Sequence, residues 1–113
     1  MKYISKDTAQ KFENSKTCVV FEYGGSAELS GAGAVITGRY PENGWAMNKI
    51  SQEMVYVISG TGILVTKQEN VTLNQGDVAC IEANEPYYFE GSELHVFLST
   101  TPAWTLDQHV HIS

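Results

Sequence analysis

The sequence predicts an all-β protein, a sandwich or barrel built from eight or more short strands. Three observations favour this class. Short stretches rich in β-branched and aromatic residues recur along the chain, turn-forming Gly, Pro, Asn and Asp separate them, and no stretch has the period of a strong amphipathic helix. With 113 residues the chain is long enough to bury its own core, so we expect one domain over residues 1–113.

The first third of the chain is expected to supply three of these strands. Residues 1–16 give only a weak signal, a helical turn near residues 7–12. Two stretches that follow, residues 17–23 and 34–40, are rich in Val, Ile and aromatic residues and end at Gly or Pro, which predicts strands. A further short strand is expected at residues 27–30.

The stretch from Glu53 to Gly62 carries the most informative pattern. It predicts a strand, a tight hairpin turn in which Gly60 supplies a positive φ, and a second strand from residue 63. Because side chains alternate along a strand, Glu53 shares a face with Val55 and Val57. A carboxylate on an inward face is costly unless it is paired, bonded or protonated. Glu53 is therefore either a binding group or general base whose pKa is raised by burial, or a strand-end glutamate bonded to backbone amides or an arginine.

The second half of the chain continues the same alternation of strands and turns. Strands are predicted at residues 63–67, 71–73, 78–82, 87–90 and 94–100. Residues 103–113 show no periodicity, so we expect a tail in which Trp104 packs and His109 and His111 are solvated.

Composition limits the partners and the compartment. The formal net charge of −6 argues against nucleic acid and anionic membranes as partners. No apolar run reaches the length of a membrane span, and the first residues lack a signal-peptide apolar region, so we expect a cytoplasmic protein. Cys18 and Cys80 lie in separate strand-like stretches, which predicts two buried, reduced thiols.

Two half-motifs of the chain resemble those of the cupins, a family of small β-barrels. Glu53 and Gly60 match the E-x6-G end of the first cupin motif. Residues 76–78 match the start of the second motif, whose histidine position falls on Tyr87. The resemblance covers about residues 34–100. It implies a double-stranded β-helix, or jelly-roll barrel, over about residues 17–100, with an N-terminal and a C-terminal arm.

The chain departs from the cupin pattern at the metal ligands. The two histidine positions of the first motif hold Ala46 and Asn48 in one register and Met47 and Lys49 in the other, while the third holds Tyr87. Of the usual three histidines and one glutamate, only Glu53 remains, and a divalent transition metal prefers imidazole. We therefore expect neither a metal nor another cofactor. An alternative keeps a weak metal site on Glu53, His95 and water.

The resemblance implies a binding protein for a small molecule, a sugar or a small acid. Asn48, Glu53 and Tyr87 are its expected ligand-binding residues, with His95 and Arg39 as further candidates. An alternative is a metal-free cupin enzyme, similar to sugar-nucleotide epimerases, in which Glu53 and Tyr87 perform acid/base catalysis. A third possibility is a structural or regulatory protein with a filled barrel. We also expect a homodimer, because a strand at residues 17–23 could extend the sheet of a partner.

Overall fold

The structure is a computed structural model that describes all residues from Met1 to Ser113. It contains nine strands and two 3-10 turns, at Lys6–Thr8 and Leu106–Gln108. The prediction of an all-β fold is therefore confirmed. The strands are β1 Gln10–Ser15, β2 Cys18–Gly25, β3 Ser30–Tyr40, β4 Trp45–Asn48, β5 Gln52–Thr66, β6 Asn70–Leu73, β7 Val78–Ile81, β8 Tyr87–Thr101 and β9 His109–Ile112.

The two 15-residue strands β5 and β8 form the centre of the sheet and pair antiparallel along their whole length. β3 pairs with the other side of β8, and β2 and β1 follow it outward. The other side of β5 pairs with β7 along its first half and with β6 along its second half. β4 joins β8 to β9. The result is one curled antiparallel sheet, the jelly roll expected from the sequence.

Gly60 does not form the hairpin that the sequence predicts. β5 continues past Gly60 without a turn, and the register against β8 shifts on both sides of Ser59. Gly60 has φ +79°, and a Cβ at this position would collide with the carbonyl oxygen of Glu93. The glycine therefore marks a bulge that bends a continuous strand. Residues 91–93, predicted as a turn, likewise lie inside β8, where Glu93 has φ +48°.

Alternation along β5 and β8 divides the sheet into a packed inner face and an open outer face. Val55 and Val57 of β5 and Leu94 and Val96 of β8 are fully buried. Each such side chain stabilises the fold by about 1.5 to 3 kcal/mol relative to leaving it exposed. Three apolar side chains next to them in sequence point outward and are exposed: Met54, Tyr56 and Phe97.

Both ends of the chain contain strands that the sequence did not indicate. The helical turn expected near residues 7–12 is confirmed only at its start, by the 3-10 turn at Lys6–Thr8, because β1 begins at Gln10. β9 lies in the expected tail, where it pairs with β4 from Trp45 opposite Ile112 to Asn48 opposite His109. These strands are too short for a clear period, so partner strands decide their conformation. No helix of the structure has the length and apolar character needed to cross a membrane.

The two cysteines lie in different environments. Cys18 is buried on the inner face of β2, as expected. Cys80 is exposed, which contradicts the prediction of two buried thiols. It lies on β7 directly opposite Met54, whose side chain belongs to the outer face.

Candidate functional site

A cavity opens on the inner face of the sheet, between β2, β3, β5 and β8 on one side and the C-terminal segment on the other. Including its open mouth, it holds about 620 Å³ of empty space, and the cavity proper has a volume of about 50 Å³. A buried water needs about 10 to 15 Å³ of this volume. The enclosed part therefore has room for a group of only a few non-hydrogen atoms.

The carboxyl group of Glu53 faces this cavity. Alternation along β5 places its side chain inward, where it is 7% exposed. No side-chain polar atom of the protein is both fully buried and without a hydrogen-bond partner, and the carboxylate makes no hydrogen bond to the protein, so its oxygens must be open to the cavity. Burial, helped by the nearby charge of Glu22, raises the pKa of Glu53 to about 7. At neutral pH the group is present in both protonation states, as a general acid or base requires.

Asn48 is the centre of a hydrogen-bonded chain that forms one wall. Its Oδ1 lies 3.2 Å from Nε1 of Trp104 and 2.9 Å from Nδ1 of His109. The indole N–H can only donate, which assigns this Asn48 atom as oxygen. His109 must then donate through Nδ1–H, so its Nε2 accepts from the hydroxyl of Tyr40 at 2.8 Å. The Asn48 amide nitrogen has no protein partner and remains available to a ligand.

Tyr87 contributes a hydroxyl donor. It is buried at the start of β8, opposite Ala46, and its ring packs edge-on against Phe89. Burial first, and the charge of Glu53 second, raise the pKa of the Tyr87 phenol well above its ordinary value. The phenol therefore keeps its proton, and the hydroxyl, which has no protein partner, can donate a hydrogen bond into the cavity.

Glu22 is a cavity residue that the sequence analysis missed. It follows Cys18 and Val20 on the inner face of β2, and its Oε1 accepts a 3.2 Å hydrogen bond from the backbone N–H of Gly24. Burial raises the pKa of Glu22, and the backbone hydrogen bond opposes this effect. The alternation that singled out Glu53 also applies to β2, where Glu22 is the inward carboxylate of an otherwise apolar strand.

The structure does not bring Arg39 or His95 to this cavity. The guanidinium of Arg39 donates to the carbonyl oxygens of Pro41 and Gly44, and lies 3.8 Å from the ring centre of Tyr88. It therefore braces the turn before β4 and does not pair with Glu53. His95 lies between the inward-facing Leu94 and Val96, so its side chain is on the outer face.

The C-terminal segment differs from the solvated tail that we expected. His109 and Trp104 line the cavity through the hydrogen bonds to Asn48. Burial lowers the pKa of His109, so this histidine is neutral near pH 7. Of the two histidines in this segment, only His111 is exposed. The pair His109 and His111 after the last predicted strand carried no signal of this role, because β9 exists only through its pairing with β4.

The residues at the cupin metal-ligand positions do not suit a divalent metal ion. The side chain of Ala46 has no atom that could coordinate a metal ion, and Oδ1 of Asn48 already accepts two hydrogen bonds. Both ring nitrogens of His109 are also engaged. No three residues among the His, Cys, Asp and Glu of the structure are placed to hold a metal together. His95 and Glu53 lie on opposite faces of the sheet, so they cannot share an ion as the alternative required.

We predict that the purified protein carries no stoichiometric transition metal in this cavity. Glu53 alone cannot replace the several imidazole ligands on which tight binding depends. The measurement is elemental analysis of protein prepared without a histidine tag. One equivalent of iron, manganese, nickel or zinc that disappears in Glu53→Ala would contradict the prediction.

Comparison with known proteins agrees with this architecture. Among solved structures, the chain is similar to Pac13, described as a nucleoside dehydratase, with a TM-score of 0.85 and 20% identity over 99% of this chain and 92% of that one. It is equally similar to a histidine-to-glutamine variant of Streptomyces PAC13 with uridine, at a TM-score of 0.86 and 20% identity over 100% and 92% of the two chains. For the ectoine synthase of P. lautus the TM-score is 0.75 and the identity 14%, over 100% and 91%.

These identities are low enough that the likeness concerns the fold alone. A sequence search of curated proteins found no match. The model of the Cupin domain family, in contrast, matches residues 42–101, which is more than half of the chain. That match, together with a jelly-roll sheet that carries both half-motifs, shows that the chain belongs to the cupin family.

Proposed function

We propose that this cupin binds a small polar molecule in the cavity. The observation that carries the proposal is the convergence of three polar groups without protein partners: the carboxyl of Glu53 on β5, the amide nitrogen of Asn48 on β4 and the hydroxyl of Tyr87 on β8. Because none of these atoms is both fully buried and unpartnered, they are open to the cavity and free to bond a ligand. An apolar pocket with a few convergent polar groups is the usual form of a ligand site.

The charges around the cavity favour a sugar-like ligand over a small acid. Glu22 and Glu53 both line it, and no lysine or arginine does. An acid would place a third carboxylate beside these two, whereas hydroxyl groups can donate to them. The uridine in the structure of the Streptomyces neighbour is also a hydroxylated molecule, which supports this class by analogy of fold.

We predict that Glu53→Gln weakens the binding of such a ligand about 10-fold or more. A hydrogen bond to a charged group contributes about 1.5 to 3 kcal/mol, and the amide of glutamine replaces an acceptor by a donor at one position. The measurement starts with a ligand-detected NMR screen of monosaccharides, polyols, amino alcohols and nucleosides. The dissociation constant of each hit is then compared between the wild type and the variant.

The matched control is Glu90→Gln, because Glu90 is an exposed glutamate of β8 outside the cavity. It removes the same charge and should leave the dissociation constant unchanged. The proposal is wrong if no compound of the screen binds, or if both variants bind as the wild type does.

A second candidate function is acid/base catalysis, favoured by the pKa of about 7 at Glu53. A Glu53 carboxylate could take a proton from a carbon next to a carbonyl group, while the Tyr87 hydroxyl donates a hydrogen bond to the oxygen on which the charge develops. Such a step begins both epimerisations and eliminations of water.

We predict that an accepted carbonyl sugar would exchange this carbon-bound proton for deuterium in D₂O in the presence of the protein. Glu53→Gln should slow the exchange about 100-fold or more, the usual contribution of a general base. The exchange rate is measured from the NMR signal of the sugar proton, with Glu90→Gln as the control. If a carbonyl sugar binds but does not exchange its proton, the catalytic function is contradicted and the binding function remains.

A further inference from the structure

We propose that the ligand of this cavity carries a protonated amine, so that the preferred class is a small amino alcohol and not the corresponding neutral alcohol. This inference rests on the proposed binding function and specifies the chemistry of the same site. It starts from the charge of the cavity walls, in which two carboxyl groups from different strands, Glu22 and Glu53, face one narrow space without a cation between them.

The other ionisable groups of the walls are held neutral near pH 7. Burial raises the pKa of Cys18 to about 12 and that of Tyr40 well above its ordinary value, and it lowers the pKa of His109. Tyr87 also keeps its proton. The only charges that the cavity can hold are therefore the two negative ones, and they are close enough for Glu22 to raise the pKa of Glu53.

The rest of the lining suits the same ligand. Five aromatic side chains border the cavity: Phe12, Tyr40, Tyr87, Phe89 and Trp104. Aromatic rings attract an ammonium group through their π-electrons and do not attract a carboxylate. A cation in this space would thus meet carboxylates and rings, and would offset the repulsion between Glu22 and Glu53. The formal charge of −6 on the whole chain also favours the approach of a cation.

The small volume limits the size of the group that enters. The cavity proper has a volume of only about 50 Å³, which corresponds to about three to five water-sized groups. A primary ammonium with one or two carbons fits this space, and the remaining hydroxylated part would lie towards the mouth. An ammonium also supplies three N–H donors. Glu22 and Glu53 can accept two of them.

The test compares two probes of the same shape, serinol (2-aminopropane-1,3-diol) and glycerol, which differ by an ammonium in place of a hydroxyl. Their dissociation constants are measured at pH 7 by titration of the isotope-labelled protein followed by NMR shifts. We expect serinol to bind at least 10-fold more tightly than glycerol, with shifts at cavity residues. Glu22→Gln and Glu53→Gln should each reduce this ratio several-fold, and Glu90→Gln should not.

A second measurement does not depend on the variants. Because a bound cation stabilises the ionised carboxyl groups, serinol should release protons when it binds, and glycerol should not. Calorimetry in buffers of different ionisation enthalpy counts these protons. Equal or tighter binding of glycerol in the cavity would overturn the amine proposal and leave the proposed binding function intact. If neither probe shifts cavity residues and no compound of the ligand screen binds, both proposals are overturned.

Discussion

Replacing Glu53 by Gln is expected to raise the free energy of unfolding by about 3 kcal/mol at pH 8. Burial raises the pKa of this carboxyl from 4.5 to about 7. Between these two values the folded protein holds a proton that the unfolded chain has lost, so stability decreases as the pH rises through this window. At about 1.4 kcal/mol per pKa unit, the full penalty is about 3 kcal/mol above pH 7. Glutamine resembles the protonated acid and avoids it.

The measurement is urea unfolding of both proteins from pH 4 to pH 8. The difference between them reports Glu53 together with its coupling to Glu22, since Glu22 and His109 titrate in both proteins. This difference should be near zero at pH 4 and largest at pH 8. A variant that is less stable than the wild type at every pH would show that Glu53 is a structural bonding group. The candidate site would then lose its central residue.

Replacing Asn48 by Ala is expected to destabilise the protein by about 2 to 6 kcal/mol. The Oδ1 of Asn48 is the only acceptor for the Trp104 indole N–H and the His109 Nδ1–H. A partly buried donor left without an acceptor costs about 1 to 3 kcal/mol, and this substitution leaves two. The cost should fall on the C-terminal segment, because both donors belong to it. Urea unfolding measures the total, and hydrogen exchange of the β9 amides measures the local part.

Asn70→Ala is the matched control, because Asn70 is exposed on β6 and makes no side-chain hydrogen bond to the cavity wall. It should change the free energy of unfolding by less than about 0.5 kcal/mol. If Asn48→Ala has an equally small effect and leaves exchange at β9 unchanged, water has replaced the lost acceptor. The hydrogen bonds of Asn48 would then not be what fixes the C-terminal segment against the cavity.

The sequence was sufficient for the fold class because alternation and turn residues are local signals. It identified Glu53 for the same reason, since an acidic residue among inward-facing valines stands out in a single strand. Asn48 and Tyr87 came from the spacing of the cupin half-motifs. The structure places these three residues around one cavity, although their role in binding stays a proposal.

The features that the sequence did not reveal depend on pairing between distant segments. β9 has no pattern of its own and forms against β4, so His109 could not be recognised as a wall of the cavity. Gly60 carried the signature of a hairpin, yet the choice between a hairpin and a bulge depends on β8, which continues past it. Glu22 carried the same local signal as Glu53, an inward carboxylate on an otherwise apolar strand, but only the curl of the sheet brings the two carboxyl groups to one cavity.

Because one cysteine is exposed and the other is buried, the rate of thiol alkylation can report the opening of the barrel. Cys80 is exposed, while Cys18 is sealed in the cavity wall with a pKa of about 12. An alkylating reagent consumes thiolates, so the folded protein should gain one adduct quickly and the second only when the barrel opens. Mass spectrometry over time therefore measures the rate of the second alkylation, which reports how often the cavity wall opens. An occupant of the cavity that holds the walls together should delay the second adduct without affecting the first.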